Sequence, residues 1–376
     1  MTGNPRQTER NRKMKRPLYP LLLLALAAML VTLAGAEIVL RVLGQPQFPK
    51  EHTAPTRFAF TDRGTRHAPF YLNMPGRITF RYDGNPRGYF DALNEVHHDV
   101  NPSGFRGPAV GPKEDGTFRM VFLGDSFTFG EGVHNHDAYP EVTARLLRRG
   151  GRRVDACNLG VGGYNTSQEA DIFKLFGFDM DPDVVVLGYT LNDAEFPLFR
   201  TDPATDKPLR RAREAHIQAE GAPARPPASA LCRLRLAQAI WKTHRERRLS
   251  KQTVEYYLSL HAPSSAGRLA SERALQEIIS ACRERGVPCI VVMFPVLYKL
   301  TRDYPFETIH ENIGKVVREA GGHYIDLLPA LEGQDARTLI VHPTDQHPNE
   351  KVHAIAGRLV AEEIRRMRCL QAGRSD

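Results

Sequence analysis

From Phe118 onward the chain alternates short, continuous apolar runs with stretches of helical period. The runs fall at residues 120–123, 154–159, 184–187, 289–294 and 324–328, and the helical stretches at 139–149, 271–284, 307–320 and 351–366. A strand that is apolar at consecutive positions is buried on both faces, and alternation with helices achieves this by covering both sides of a parallel sheet. The pattern therefore predicts an α/β fold with a parallel sheet over residues 118–368, and ligands of such sheets bind at the carboxyl ends of the strands. Two segments break the rhythm. Residues 45–117 are rich in Pro, Gly and aromatics, with a short strand expected at 78–82, and read as a small β and loop module. Residues 200–262 read as an insertion with a Pro-Ala segment at 221–228 and a helix at 231–248 that includes Trp241. That insertion is long enough to cover a site as a lid, although its many basic residues are better explained as a solvated face.

Upstream, residues 17–36 form an uncharged run of twenty residues, spanning roughly 30 Å as a helix, the thickness of a bilayer's hydrocarbon core. Residues 1–16 carry Arg6, Arg10, Arg12, Lys13, Lys15 and Arg16 against Glu9. This basic tail places the N-terminus in the cytoplasm and everything from Glu37 onward outside, on the periplasmic or extracellular side. A cleaved signal peptide is the competing expectation, because Ala34-Gly35-Ala36 resembles a cleavage site. The apolar run is longer than a usual signal core of about 7 to 15 residues, which favours an uncleaved signal-anchor in the cell membrane.

The tail also supplies five of the chain's eight net positive charges, so the folded part is nearly neutral and nucleic acid is not expected as a partner. With 376 residues, 41% hydrophobic and 25% charged, the chain is long and apolar enough to bury a substantial core. Cys157, Cys232, Cys282, Cys289 and Cys369 are scattered without paired spacing and read as buried thiols, Cys282 and Cys289 being the nearest pair.

The turns after the predicted strands carry the candidate chemistry. Gly124-Asp125-Ser126 comes after the first, a Gly-rich turn from Asn158 to Gly163 after the second, and Leu191-Asn192-Asp193 after the third. The segment from His342 to Asn349 introduces the last helix. A hydroxyl is a weak nucleophile near neutral pH until a base takes its proton, and histidine has the pKa for that task. The histidine in turn needs an acceptor to fix its tautomer. Asp345, two residues before His347, points the same way in an extended segment. An oxyanion formed on attack needs fixed donors, and three are available: the N–H of Ser126, the N–H of Gly163 and the side-chain amide of Asn192. Taken singly, each piece has a plainer explanation: Ser126 as a helix cap, the glycines as a turn, His-Pro-Asn as a helix start. Their order and strand placement together favour the chemical reading. His134, His136 and Asp137, and His342, His347 and His353, lack the helix-borne spacing of a metal site, so no metal and no cofactor is expected.

These four segments resemble the blocks of the SGNH hydrolases, the GDSL esterase/lipase superfamily, over roughly residues 118–368 less the insertion. The Asn101-Pro102-Ser103-Gly104-Phe105-Arg106-Gly107 segment is also similar to bacterial membrane-anchored members. The resemblance implies a flavodoxin-like α/β/α sandwich and acyl hydrolysis or transfer without a metal. It implies Ser126 as nucleophile, His347 as base, Asp345 as its partner, and Ser126, Gly163 and Asn192 as the oxyanion hole. Many members space the acidic residue three before the histidine, whereas the gap here is two, which makes Asp345 the least secure of the set. No Gly-x-Ser-x-Gly elbow surrounds Ser126, which argues against an α/β-hydrolase. The expected function is an exported, membrane-anchored serine esterase acting on small acyl esters, acetyl among them, of envelope or extracellular glycans. An O-acyltransferase would use the same site, and a non-catalytic envelope binding module would use the same scaffold.

Overall fold

The structure, a computed structural model, describes residues 18–42, 60–62, 71–73, 75–149, 151–195 and 234–367. The basic tail, Cys232, Cys369 and the Pro-Ala part of the predicted insertion lie outside the described residues. The chain divides into two units, residues 1–50 with 221–250 and residues 51–220 with 251–376. In the smaller unit the uncharged run forms helix α1 (Leu18–Val42). Across Leu22–Val42 its mean hydropathy is 2.3. It is long and apolar enough to cross a membrane. Near its end, Glu37 accepts hydrogen bonds from the backbone N–H groups of Arg235 (2.9 Å) and Leu236 (2.8 Å). This satisfies orphan donors in the first turn of a second helix.

The larger unit begins with two antiparallel pairs: β1 (Phe60–Asp62) with β2 (Tyr71–Asn73), and β3 (Gly76–Arg81) with β4 (Glu95–Val100), where Gly76 faces Val100 and Arg81 faces Glu95. Next come β5 (Thr117–Gly124), α2 (Ser126–Phe129), α3 (Tyr139–Arg148), β6 (Arg153–Asn158), α4 (Thr166–Ile172) and β7 (Val184–Tyr189). Helix α5 (Arg235–Leu260), whose last ten residues belong to this unit, is followed by α6 (Ala266–Glu284), β8 (Cys289–Met293), α7 (Glu307–Ala320) and β9 (His323–Asp326). The chain closes with α8 (Leu328–Leu331), a short antiparallel pair β10 (Ile340–His342) and β11 (Asp345–Pro348), and α9 (Glu350–Arg366).

The central sheet has the order β6-β5-β7-β8-β9, and all its pairings are parallel. In terms of those five strands this is 2-1-3-4-5, the flavodoxin-like order, whose switch point lies between the first and third, here β5 and β7. Every residue of β5, β7 and β8 is buried, as continuous apolar runs require. The flanking helices pack as α3 on α9 and as α4 on α6 on α7. Cys157, Cys282 and Cys289 are free thiols inside this core.

Two helices differ from their sequence boundaries. Helix α5 continues to Leu260, well past 248, because Tyr256 and Tyr257 at its end are buried and Tyr257 packs edge-on against Phe306. Helix α6 starts at Ala266 because Ser265 caps it, accepting from the Arg268 N–H.

The β3–β4 pair is tied to the sheet through Arg106, whose backbone bridges Val100 and Asn158. Its side chain, only 2% exposed, donates to the carbonyl oxygens of Phe129 (2.6 Å), Gly130 and Val133 (2.6 Å). Burial without a bonded carboxylate pulls its pKa down to about 9. Three carbonyls behind the Ser126 helix thus share one guanidinium. Replacing Arg106→Met, which keeps the length and removes the donors, is expected to cost about 2–4 kcal/mol. Urea unfolding with an unchanged midpoint would show that these bonds carry no net stability.

Candidate active site

Strand β5 ends at Gly124, whose φ of +148° turns the chain sharply, and a Cβ there would lie 2.0 Å from the Thr128 hydroxyl oxygen. Glycine lets α2 fold back directly onto the strand end. Asp125 caps this helix, its Oδ1 accepting from the Phe127 N–H at 2.8 Å. Ser126, the first helical residue, is left at the carboxyl edge of the sheet, 8% exposed.

The β10–β11 pair brings the last segment to the same edge. His347 Nε2 lies 2.8 Å from Ser126 Oγ, and His347 Nδ1 lies 2.6 Å from Asp345 Oδ1. The same carboxylate oxygen accepts from the His347 backbone N–H at 3.0 Å. The two-residue gap works because both residues lie on one strand, where alternate side chains share a face. A T-shaped contact with Phe127 at 5.6 Å also holds the imidazole.

The predicted oxyanion donors belong to the turns after β6 and β7. The Val161 N–H donates to the Gly124 carbonyl at 3.0 Å, drawing the glycine turn against the end of β5, and Gly163 takes φ +83° in that turn. Asn192 lies in the turn after β7, and its Nδ2 donates to Asp125 Oδ2 at 2.9 Å. His261 Nε2, 2.9 Å from the Leu191 carbonyl, supports this turn from the end of α5.

Charge is distributed unevenly around the array. Burial opposes ionisation of both His347 and Asp345, but their mutual attraction outweighs it, holding the Asp345 carboxyl below its ordinary 3.8 and raising His347 well above 6.5. Glu131, 3.9 Å from His347 Nδ1, adds to the rise. Around Asp125 the balance reverses. Asp125, Asp193 and Glu169 are almost wholly buried, and desolvation first, then one another's charge, raises Asp193 and Glu169 well above the usual carboxylate range. Asp125 is raised by burial too, with the bonds from Asn192 and Phe127 opposing the rise.

Neither Glu131 nor Tyr82 is among the site residues predicted from sequence. Glu131 lies five positions past Ser126, in the same block, and its N–H bonds the Ser126 carbonyl at 3.0 Å. Tyr82 Oη donates to Asp345 Oδ2 at 2.8 Å from 263 residues away, and no local pattern announces it.

Among the described residues, two groups place their ligand atoms within 4.8 Å of one another: Asp91, Glu95 and His97, and Glu131, Asp345 and His347. In the second, both ring nitrogens of His347 already have protein partners. In the first, Glu95 is paired with Arg81, and His97 Nδ1 is 3.0 Å from the Thr79 hydroxyl. His134 and His136 stack on each other at 5.5 Å, and His353 is buried with Nδ1 accepting from the Tyr139 N–H at 3.2 Å. His342 Nδ1 is 2.5 Å from the Thr344 hydroxyl.

A parallel sheet of this order with these blocks at its carboxyl edge defines a class, and the comparison with known families agrees. The model of the GDSL-like lipase/acylhydrolase family matches residues 122–355. The chain belongs to this family of ester hydrolases, and its α/β/α sandwich is the SGNH hydrolase fold. No curated protein matches the chain. Solved structures similar to it include Axe2, an acetylxylan esterase from Geobacillus stearothermophilus, with 12% identity over 68% of this chain and 96% of that one and a TM-score of 0.41. A lipase/acylhydrolase from Enterococcus faecalis shares 15% identity over 66% and 96%, with a TM-score of 0.39. The psychrotrophic esterase EstA from a Pseudoalteromonas species shares 10% identity over 67% and 98%, with a TM-score of 0.36.

Glu131 stabilises the charged imidazole, so its neutralisation makes the proton leave sooner. In Glu131→Gln, NMR titration of the His347 ring is expected to run at lower pH than in the wild type. A midpoint that stays in place would remove Glu131 from the electrostatics of the site.

Proposed function

We propose that the protein is an exported, membrane-anchored serine esterase that removes small acyl groups, acetyl among them, from envelope or extracellular glycans. The observation that carries the catalytic part is the 2.8 Å approach of His347 Nε2 to Ser126 Oγ, with Asp345 on the opposite ring nitrogen. In this reading neutral His347 takes the Ser126 proton as Oγ attacks the ester carbonyl, and Asp345 stabilises the imidazolium that results. The N–H groups of Ser126 and Gly163 and the Asn192 amide receive the negative charge that develops on the carbonyl oxygen. Asn192 Nδ2 has two hydrogens, so its bond to Asp125 leaves one for the substrate. The imidazolium then protonates the departing alcohol. Water, deprotonated by the same His347, cleaves the acyl-enzyme and restores Ser126.

Anchoring rests on the length and apolarity of α1, and orientation on the basic tail before it. Residues 1–16 are then a cytoplasmic tail and 17–36 the signal-anchor. Residues 45–117 are an outward-facing β and loop module, and 118–368 the catalytic domain with its lid-like insertion at 200–262. The glycan is inferred from placement, because polymers carrying O-acyl groups lie on that side of the membrane.

Ser126→Ala is expected to lower kcat for an aryl acetate by about 10³-fold or more and to abolish labelling by a serine-directed phosphonate. Equal hydrolysis by wild type and variant would overturn the assignment. Since the base must be neutral, kcat/KM is expected to rise with pH along a limb displaced above 6.5, the direction in which His347 is shifted. Removal of residues 1–44 is expected to move the activity from the membrane to the soluble fraction. Sedimentation unchanged by that deletion would rule out α1 as the anchor.

A further inference from the structure

We propose that Tyr82, which precedes the residues matched by the family model, is a positioning residue that locks Asp345 in the orientation His347 requires. The proposal rests on the serine-esterase reading and extends its site to the β3–β4 segment.

The shortened gap sets the problem. Asp345 uses a single oxygen, Oδ1, for both the backbone N–H and the Nδ1 of His347. A carboxylate held on one oxygen can rotate about its side-chain torsions, and each rotation would take the acceptor away from the imidazole. Tyr82 supplies the second point of attachment, its Oη donating to Oδ2 at 2.8 Å. Two bonds on opposite oxygens define the carboxylate plane.

Tyr82 is itself firmly held. Its ring stacks on Phe90 at 4.4 Å with 9° between planes and lies 5.3 Å from His342, and its N–H bonds the Asn94 carbonyl at 3.0 Å. Space for the hydroxyl is made by Gly132 at φ +81°. A Cβ there would lie 2.8 Å from Tyr82 Oη and 2.5 Å from Val341 Cγ1. The same segment clamps the neighbouring strand, since Arg87 donates to the Val341 carbonyl at 2.9 Å and pairs with Glu350 at the start of α9. Burial first, and the charge of Asp345 next, push the Tyr82 phenol far above its ordinary 10, so it stays a donor across the working range of pH. Glu131, whose charge also raises the phenol, and Asp125 are the other charged groups that bear on His347, and both are left in place when the hydroxyl is removed.

Tyr82→Phe in the full chain keeps the ring stack and deletes only this donor. Losing one hydrogen bond to a charged group is expected to lower kcat about 10- to 100-fold with KM within about twofold, and circular dichroism should match the wild type. The low-field Nδ1 proton resonance of His347, which reports its bond to Asp345, is expected to broaden or disappear. In an Asp345→Asn background, adding Tyr82→Phe is expected to have no further effect, since the bond it deletes has lost its charged acceptor. Wild-type kcat and an intact resonance in Tyr82→Phe, with Ser126→Ala inactive, would overturn the role of Tyr82 alone. Full effects of Tyr82→Phe in the Asp345→Asn background would place its contribution elsewhere and also overturn it. Activity retained by Ser126→Ala would instead overturn the esterase reading.

Discussion

The hydrogen bond between His347 and Ser126 joins residues 221 positions apart, and much of the fold can be understood as the means of closing that distance. No local structure could do so. A parallel sheet can, because it sends every strand's carboxyl end to one edge, and successive β and α units return the chain there each time. Ser126 arrives by the first of these returns and His347 by the last. The short β10–β11 pair, which belongs to no layer of the sandwich, aims the imidazole at the hydroxyl.

Around that bond the carboxylates fall into two groups with opposite tasks. Asp345, held below its ordinary pKa, and Glu131 lie beside the imidazole and favour its charged form. Asp193 and Glu169, buried near Asp125, are pushed toward neutrality by desolvation and then by neighbouring carboxylate charge. Under the proposed mechanism this asymmetry is useful. Negative charge next to His347 stabilises the imidazolium, whereas full negative charge under the oxyanion donors would repel the intermediate they are meant to hold. Asp125 lies at the boundary and orients Asn192 through one oxygen and the first turn of α2 through the other.

The parallel sheet could be read from the sequence because its strands are buried on both faces and therefore written as unbroken apolar runs. Ser126, Asn192, Asp345 and His347 could be picked out for a related reason: each comes directly after a strand or leads into a helix, so its neighbours mark its place. Tyr82 has no such marker. Its position is that of an ordinary aromatic at the end of a short strand, and its relation to Asp345 arises only from tertiary packing. Arg106 is similar, for its sequence block could be recognised but its bonds to three carbonyls could not. The β10–β11 pair was legible only as an extended segment, because runs of three and four residues with Pro and Asp carry almost no strand signal. Helix boundaries set by tertiary burial, such as the end of α5 at Tyr256 and Tyr257, were hidden in the same way.

Arg106 and Tyr82 both precede Ser126 in the chain, whereas His347 comes near its far end. A ribosome therefore releases the bracing hairpin first, the hydroxyl next and the imidazole more than two hundred residues later. Under the proposed mechanism the serine has no base during that interval, and the phenol has no acceptor. Ester cleavage by that mechanism would then wait for the closing strand pair, when the chain's own architecture is essentially finished.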